Sequence, residues 1–519
     1  MIMAVPQTTP IVVGVGEIRD KSIDLSHPNE PADLMVEAIR RSFADASLTM
    51  TELAAAPDSI SVVPPWTWAY PDLPGLLAER LHIQPRHRVL GSHGGDQPAL
   101  LFGEAAQRIA RGESKLAIVT GGEALATLAA CQKAKKLPPP GWTAPDPNVK
   151  PISTSDLSFN GQNIASKHSM GLAIHVYPMY ENGFRAHEKQ TQQQNQQESA
   201  ELYAAFDQIA CTHPYSWRHG ETPRDAKAIG TVTAKNRMIC TPYPLLQNAF
   251  NTVNLAAACL LTSVEHAEKL GIPQDRWIYV LGGAGTNDKE NFWERPNFYS
   301  SQSLQQSLDA AVAVSGISRE DIDCYDFYSC FPIVPKLACK HLGLSVTKPA
   351  KAISLLGGLT SFGGAGNNYS MHALTEMTRK LRDKTYRTGL VLANGGVLTH
   401  HYALCLSSAS RRDFSAYQRQ NPLPTHLQHS QVVQVDDQVQ GSATIETYTV
   451  EFDRQGRPRQ ANIVGRLDAN GHRFVANHGD DATLVMLTDP ILEPVGLRGI
   501  VHQSQDGRNV FYVGAASKL

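Results

Sequence analysis

The sequence predicts an α/β fold with a mainly parallel sheet. Three observations carry this. Short apolar runs closed by glycine or proline recur along the chain. Stretches with apolar residues at helical spacing alternate with them. After one long interruption the alternation starts again.

The run at 11–16 (IVVGVG) reads as a buried strand ended by glycine. Residues 32–46 then place Leu34, Met35, Ala38, Ile39, Phe43 and Ala44 at helical spacing. A second strand at 59–63 is stopped by Pro64-Pro65. Asp96-Gln97-Pro98 reads as a helix start, because proline in the first turn gives up no needed hydrogen bond. That helix should run to Arg111 and close on Gly112. A buried strand at 116–120 leads to Gly121-Gly122-Glu123, read as a turn. From about 132 to 240 the pattern breaks into a triple proline, a polar run at 190–199 and isolated aromatics (Tyr177, Tyr180, Phe184, Trp217). This reads as an inserted excursion with helical pieces. The alternation resumes at 254–265, 277–281, 304–314, 323–328 and 389–393. The expected organisation is a first half at 1–270 holding the insertion, a second half at 271–410, a linker at 411–429 and a domain at 430–519. Alternating residues at 443–452, a turn at 453–456 and short runs at 461–467, 483–487 and 510–513 predict a small all-β barrel or sandwich there.

At 519 residues, 42% hydrophobic and 18% charged, the chain has an ordinary globular composition. Its net charge of −2 argues against a nucleic-acid or anionic-membrane partner. No apolar run reaches the roughly 18 to 20 residues of a membrane span, and no basic segment precedes an apolar stretch at the start. A cytoplasmic protein is expected. The eight cysteines are scattered without a CxxC pair, which argues against a zinc site or a disulfide scaffold. The default for each is a small buried hydrophobe.

The chemistry concentrates in two segments. Tyr328-Ser329-Cys330-Phe331 is followed about 25 residues later by Gly357-Gly358-Leu359-Thr360-Ser361-Phe362-Gly363-Gly364-Ala365-Gly366. Asn254 to Ser263, the helix–Gly112–strand unit and Ala393-Asn394-Gly395-Gly396 accompany them in order. This succession resembles the thiolase superfamily, whose sterol-carrier-protein class has His-Asp-Cys-Phe where this chain has Tyr-Ser-Cys-Phe. The extra β domain resembles the appendix of thiolase-like proteins of type 1. The resemblance implies a five-layered αβαβα core of two similar halves, an inserted loop domain and a small, OB-like C-terminal domain. It also implies an acyl-CoA ligand and no tightly bound cofactor. A homodimer is the family's default, and the partner of the added domain is unknown.

Aligned on the helix end at 109–112, the family's nucleophilic cysteine falls on Gly95 and its activating histidine on Gly364. Glycine at both positions is expected to leave room. The second cysteine falls on Ala393 or Asn394, and the oxyanion-hole residue on Tyr328. Cys330 keeps a reactive type, read either as a nucleophile with a lowered pKa or as an inert buried thiol. His93 is either a base beside the vacated position or a histidine hydrogen-bonded near a helix start. Asn367 and Asn368 are either donors to a thioester carbonyl or turn residues capping the next helix. The candidate catalytic set is Cys330, His93 and Tyr328, and the candidate substrate-binding set Gly95, Ser361, Gly363, Gly364, Asn367 and Gly395. Lys133, Lys135 and Lys136 are either phosphate contacts or a solvated face. The expected function is an acyl-CoA-binding acyltransferase with altered catalytic residues. The alternative is a non-catalytic acyl-CoA or lipid binder, and a third, weaker reading is a β-ketoacyl-synthase-like condensing enzyme.

Overall fold

The computed structural model describes residues 5–49, 51–52, 56–149, 163–428 and 432–514. Nine strands form the main sheet: β1 (Pro10–Arg19), β2 (Ser59–Val63), β3 (His87–Leu90), β4 (Leu116–Ala124), β7 (Asn254–Ser263), β8 (Ile278–Asn287), β9 (Cys324–Phe327), β10 (Thr388–Gly395) and β11 (His400–Ser407). Their order is β3-β2-β4-β7-β1-β8-β11-β10-β9. Counted outward from the centre, β1-β7-β4-β2-β3 is repeated as β8-β11-β10-β9, with Ala352 bridging to Cys324 where a fifth strand would lie. The half-sheets join through Ile11↔Tyr279 and Val12↔Ile278.

The sheet is less parallel than expected. β2 runs parallel to β3 and β4, and β9 to β10, but the inner pairs are antiparallel. β10 and β11 are joined by the short turn at 396–399, and a connection that short can join only antiparallel neighbours. Gly121-Gly122-Glu123, expected as a turn, lies inside β4, because β7 pairs with the strand as far as Ala124.

Helices Gln97–Ala110 and Tyr369–Arg382 pack on each other and reach strands of both halves. Pro31–Asp45 covers β1, β7 and β4, and Gln302–Ser315 covers β8 and β11. The result is five layers, helix–sheet–helix–sheet–helix. In β1, Ile11 and Val13 face the outer core and Val12 faces the central one. A bulge at Val12/Gly14 then shifts the register, so that Val15 returns to the central core. A Cβ at Gly14 or Gly16 would stand 2.0 Å from a carbonyl oxygen of the helix Pro31–Asp45, so the helix lies directly on the strand backbone.

Glu17 at the far end of β1 ties the first half to the second. His372 Nδ1 lies 2.6 Å from its carboxylate, and Arg379 pairs with the other oxygen. Burial opposes the charge on Glu17, but Arg379 and His372 outweigh it and lower the carboxyl to about 2.

Helices Ala173–His187 and Gln192–Thr212 of the inserted region pack around a buried cation. Lys336, on helix Ile333–Leu342, donates to Glu181 at 2.7 Å and to Ser199 at 2.8 Å, and lies 3.1 Å from Glu198. Asn195 at 2.6 Å and the Tyr243 hydroxyl also donate to Glu181.

The C-terminal region forms a second sheet from β12 (Gly441–Phe452), β13 (Pro458–Leu467), β14 (Arg473–His478), β15 (Arg498–Gln503) and β16 (Asn509–Val513). Two short strands of the insertion, β5 (Met238–Cys240) and β6 (Tyr243–Pro244), extend it beside β12. β13 also pairs with β12, which draws the sheet towards closure. The strand expected at 483–487 is a helix, Asp481–Met486: Asp480 accepts from the Thr483 N–H at 2.8 Å, and that cap outweighs β-propensity. The stretch expected as a linker is tied to β8. Asn421 and Gln418 use their amides like strand backbone, pairing with the N–H and C=O of Gly285 and Gly283 in β8. Among the described residues no helix is long and apolar enough to cross a membrane.

Two predictions follow from these buried charges. Lys336→Met leaves Glu181 without its cation and should cost about 3–5 kcal/mol in urea unfolding; a loss under about 1 kcal/mol would show that Asn195 and Tyr243 suffice. A carboxyl depressed below its unfolded value adds stability above that value and loses it as pH falls. Acid unfolding should therefore steepen between about pH 4.5 and 2, and Glu17→Gln, measured by circular dichroism, should flatten it there.

Candidate active site

Three chain segments meet at the site. Gly94-Gly95 enters helix Gln97–Ala110, with Asp96 as its N-cap. Tyr328 to Phe331 leaves β9, and the Tyr328 N–H bonds the Leu392 carbonyl at 2.9 Å. Asn394-Gly395 ends β10.

Glycine does not leave room here. A Cβ on Gly95 would stand 2.6 Å from the Tyr328 hydroxyl and 2.5 Å from the Asn394 carbonyl oxygen. On Gly364 it would stand 2.3 Å from Asn251 Oδ1. The space beside both family positions is taken by other polar groups.

Cys330 lies in a cage of tyrosines and amides. Asn394 Nδ2 stands 3.9 Å from its sulfur and donates to the Tyr177 hydroxyl at 2.8 Å. That hydroxyl also accepts from the Leu398 N–H at 3.3 Å and donates to the Gly396 carbonyl at 3.1 Å. The Tyr177 ring stacks on Phe331 at 4.7 Å. Tyr203 donates to the Ser329 carbonyl at 3.0 Å, and Tyr369 meets Tyr328 edge-on at 5.6 Å. Burial pushes the Cys330 thiol up to about 12; Tyr177 and backbone N–H groups pull the other way and lose. Burial, then Cys330 and Asp96, hold the Tyr328 phenol well above its usual range. At neutral pH the site therefore presents an uncharged thiol and an uncharged phenol side by side.

The His93 ring centroid lies 5.7 Å from that of Trp66. Its Nδ1 lies 3.2 Å from Asn367 Nδ2. Burial, helped by His400, lowers its pKa to about 4, so it is neutral at pH 7. Asn367 is fully used: Oδ1 accepts from Trp66 Nε1 at 2.6 Å and the Gly94 N–H at 3.2 Å, and Nδ2 donates to the Pro64 carbonyl at 3.0 Å. It holds the helix entrance in place. Asn368 is the N-cap of Tyr369–Arg382 but makes no side-chain cap; it donates to the Gly121 carbonyl at 2.7 Å.

Ser361 donates to Asp207 at 2.6 Å, and Asp207 is paired with Arg218 at 2.9 Å. Gly363 has φ +113°, a backbone state that L side chains rarely adopt. Gly395 lets the Asp96 carboxylate in: a Cβ there would stand 2.0 Å from Asp96 Oδ1. Asp96 Oδ2 accepts from Gln97 at 2.9 Å, and burial raises the carboxyl's pKa. Lys133, Lys135 and Lys136 are exposed.

The structure thus brings Tyr328, Gly95, Cys330 and Gly395 together, with His93 and Asn367 at the helix entrance and Ser361 behind the glycine run. Sequence reasoning missed Asp96, Tyr203 and Asn251, and noted Tyr177 only as an isolated aromatic of the insertion. No local spacing marks these residues. A groove of 740 Å³ lined by Tyr70, Asp72, Glu79 and Arg88 holds no residue of this cluster. Among the described residues no group of three or more histidine, cysteine or acidic side chains could hold a metal.

The protonation state of Cys330 can be read from alkylation by iodoacetamide. The rate should rise about tenfold per pH unit from pH 7 to 10 without a plateau, since only the thiolate reacts. A plateau below pH 8 would mean an activated thiol.

Comparison with known proteins agrees with this architecture. Residues 422–507 match the model of the thiolase-like protein type 1 additional C-terminal domain. A monomeric SCP2-thiolase-like protein type 1 from Mycobacterium smegmatis superposes with a TM-score of 0.81 at 29% identity, covering 98% of this chain and 100% of that one. Human mitochondrial 3-ketoacyl-CoA thiolase superposes at 0.56 with 13% identity over 78% of this chain and 100% of its own. An Ltp2–ChsH2(DUF35) aldolase superposes at 0.55 with 16% identity over 79% and 100%. No curated protein sequence matches. The repeated half-sheets, the paired central helices and the appended β domain give the chain the architecture of thiolase-superfamily proteins of the thiolase-like type 1 kind.

Proposed function

We propose that the chain binds an acyl-CoA thioester at the Gly95–Cys330–Gly395 cluster and acts on its Cα–Cβ bond without forming an acyl-cysteine. The observation that carries this reading is the Tyr328 hydroxyl standing beside Gly95, where a catalytic cysteine would otherwise project. Thiolysis of a 3-ketoacyl thioester must place an acyl group on a nucleophile. An uncharged Cys330, kept protonated by burial, is a poor one.

Aldol-type cleavage of a 3-hydroxyacyl thioester needs no covalent intermediate. The β-hydroxyl loses its proton, the Cα–Cβ bond breaks, and its electrons pass into a thioester enolate. An acid then returns a proton to the α-carbon, leaving an aldehyde or ketone and a shortened acyl-CoA. Tyr328 and Cys330, both protonated, are suited to stabilise the enolate and return the proton. His93, neutral at pH 7, is assigned as the proton acceptor. The likeness of fold to an aldolase is in keeping with this chemistry.

The test offers the protein a 3-hydroxyacyl-CoA, and separately a 3-ketoacyl-CoA with free CoA, with products read by liquid chromatography and the protein by intact mass. Cleavage of the first without acylation of the protein is expected. Tyr328→Phe should slow it by about 10²-fold or more while leaving acyl-CoA affinity nearly unchanged. An acyl adduct abolished by Cys330→Ala would instead make the chain an acyltransferase, and tight binding without conversion would make it a binder.

A further inference from the structure

We propose that the C-terminal domain sets the geometry of the site through two buried arginines, and that Arg473 is a positioning residue for the turn at 395–399. Arg473 opens β14 and is fully buried. It leaves its own domain to donate to the carbonyls of Trp293 at 2.8 Å, Arg295 at 2.5 Å and Pro296 at 3.2 Å. Glu446 balances its charge through Nε at 2.8 Å, and the guanidinium lies 5.1 Å over the Phe298 ring.

The second arginine continues the line. Arg295, 1% exposed, donates to the Val397 carbonyl at 2.6 Å and to Thr399 Oγ1 at 2.8 Å. The Thr399 N–H in turn bonds the Gly395 carbonyl at 3.1 Å, and Leu398 between them is held at φ +60°. That conformation is costly for leucine and persists only where its surroundings impose it. The Leu398 N–H binds the Tyr177 hydroxyl, the same hydroxyl that takes the Asn394 amide beside Cys330. Hydrogen bonds joined through Arg295 and the 397–399 backbone therefore link β14 to the atoms around the thiol. A guanidinium suits both steps, because its planar fork can serve several carbonyls at once.

The free cysteines, all buried, supply a readout that needs no turnover. Peptide mass spectrometry after a timed pulse of iodoacetamide measures each of them in one sample. Arg473→Lys keeps the charge but cannot serve three carbonyls and a carboxylate. It should raise Cys330 alkylation about tenfold through local opening, while Cys259 in β7 and Cys324 in β9 stay within about twofold. Thr399→Val cuts the line nearer the site and leaves the domain contact intact; it should raise Cys330 while Cys240, beside β12, stays unchanged. Cys330 unmoved in Arg473→Lys while Cys240 rises would overturn the proposal, as would all cysteines rising together, which would report loss of the fold.

Discussion

The site rests on a contact of backbone against backbone. The Gly94-Gly95-Asp96 entrance to one central helix and the Asn394-Gly395 end of β10 come so close that a Cβ on Gly95 would strike the Asn394 carbonyl, and one on Gly395 would strike the Asp96 carboxylate. The two segments belong to opposite halves of the molecule. Their approach puts the Tyr328 hydroxyl, the Asn394 amide and the Cys330 sulfur within one small volume. A side chain at either glycine would push the halves apart, so the glycines are part of the closure of the two half-sheets on the central helices.

That closure changes the chemistry available. A cysteine at a helix start gains nucleophilicity from the helix dipole and a neighbouring base. Here Cys330 lies just before a different helix, beside stacked aromatic rings, and burial raises its pKa. Burial without a balancing charge keeps it protonated. The polarity of the site comes from hydroxyl and amide groups, which orient and protonate a ligand more readily than they attack it.

The appended domain is part of the same construction. The insertion lends it two strands, its Arg473 closes over the 293–296 carbonyls, and Asn182 of the insertion donates to the Tyr448 carbonyl of β12 at 2.9 Å. The stretch between the second half and this domain zips along β8 through Gln418 and Asn421. These contacts are made by polar side chains bonded to backbone, Asn182 and Arg473 among them buried. Such bonds are costly to leave unmade, and they hold the domain in a single position.

Much of the fold was legible because it is written in local patterns. The strand at 59–63 and the helix opened by Asp96-Gln97-Pro98 matched within a residue, and the core order followed from alternation and motif succession. The helix at 481–486 was misread because Leu484 and Leu487 carry too short a run to separate helical from strand spacing. Within the site, residue identities alone put glycine where the family resemblance expects a cysteine and a histidine, and leave Cys330 as the thiol nearby. Packing shows that Tyr328 and Asn251 fill the space beside those glycines, that Asn367 is already committed, and that residues as distant as Tyr177, Arg295 and Arg473 complete the surroundings. The reason is physical. A glycine in sequence records the absence of a Cβ, but what comes to lie beside it is set by chain segments hundreds of residues away, brought together by burial of the central helices.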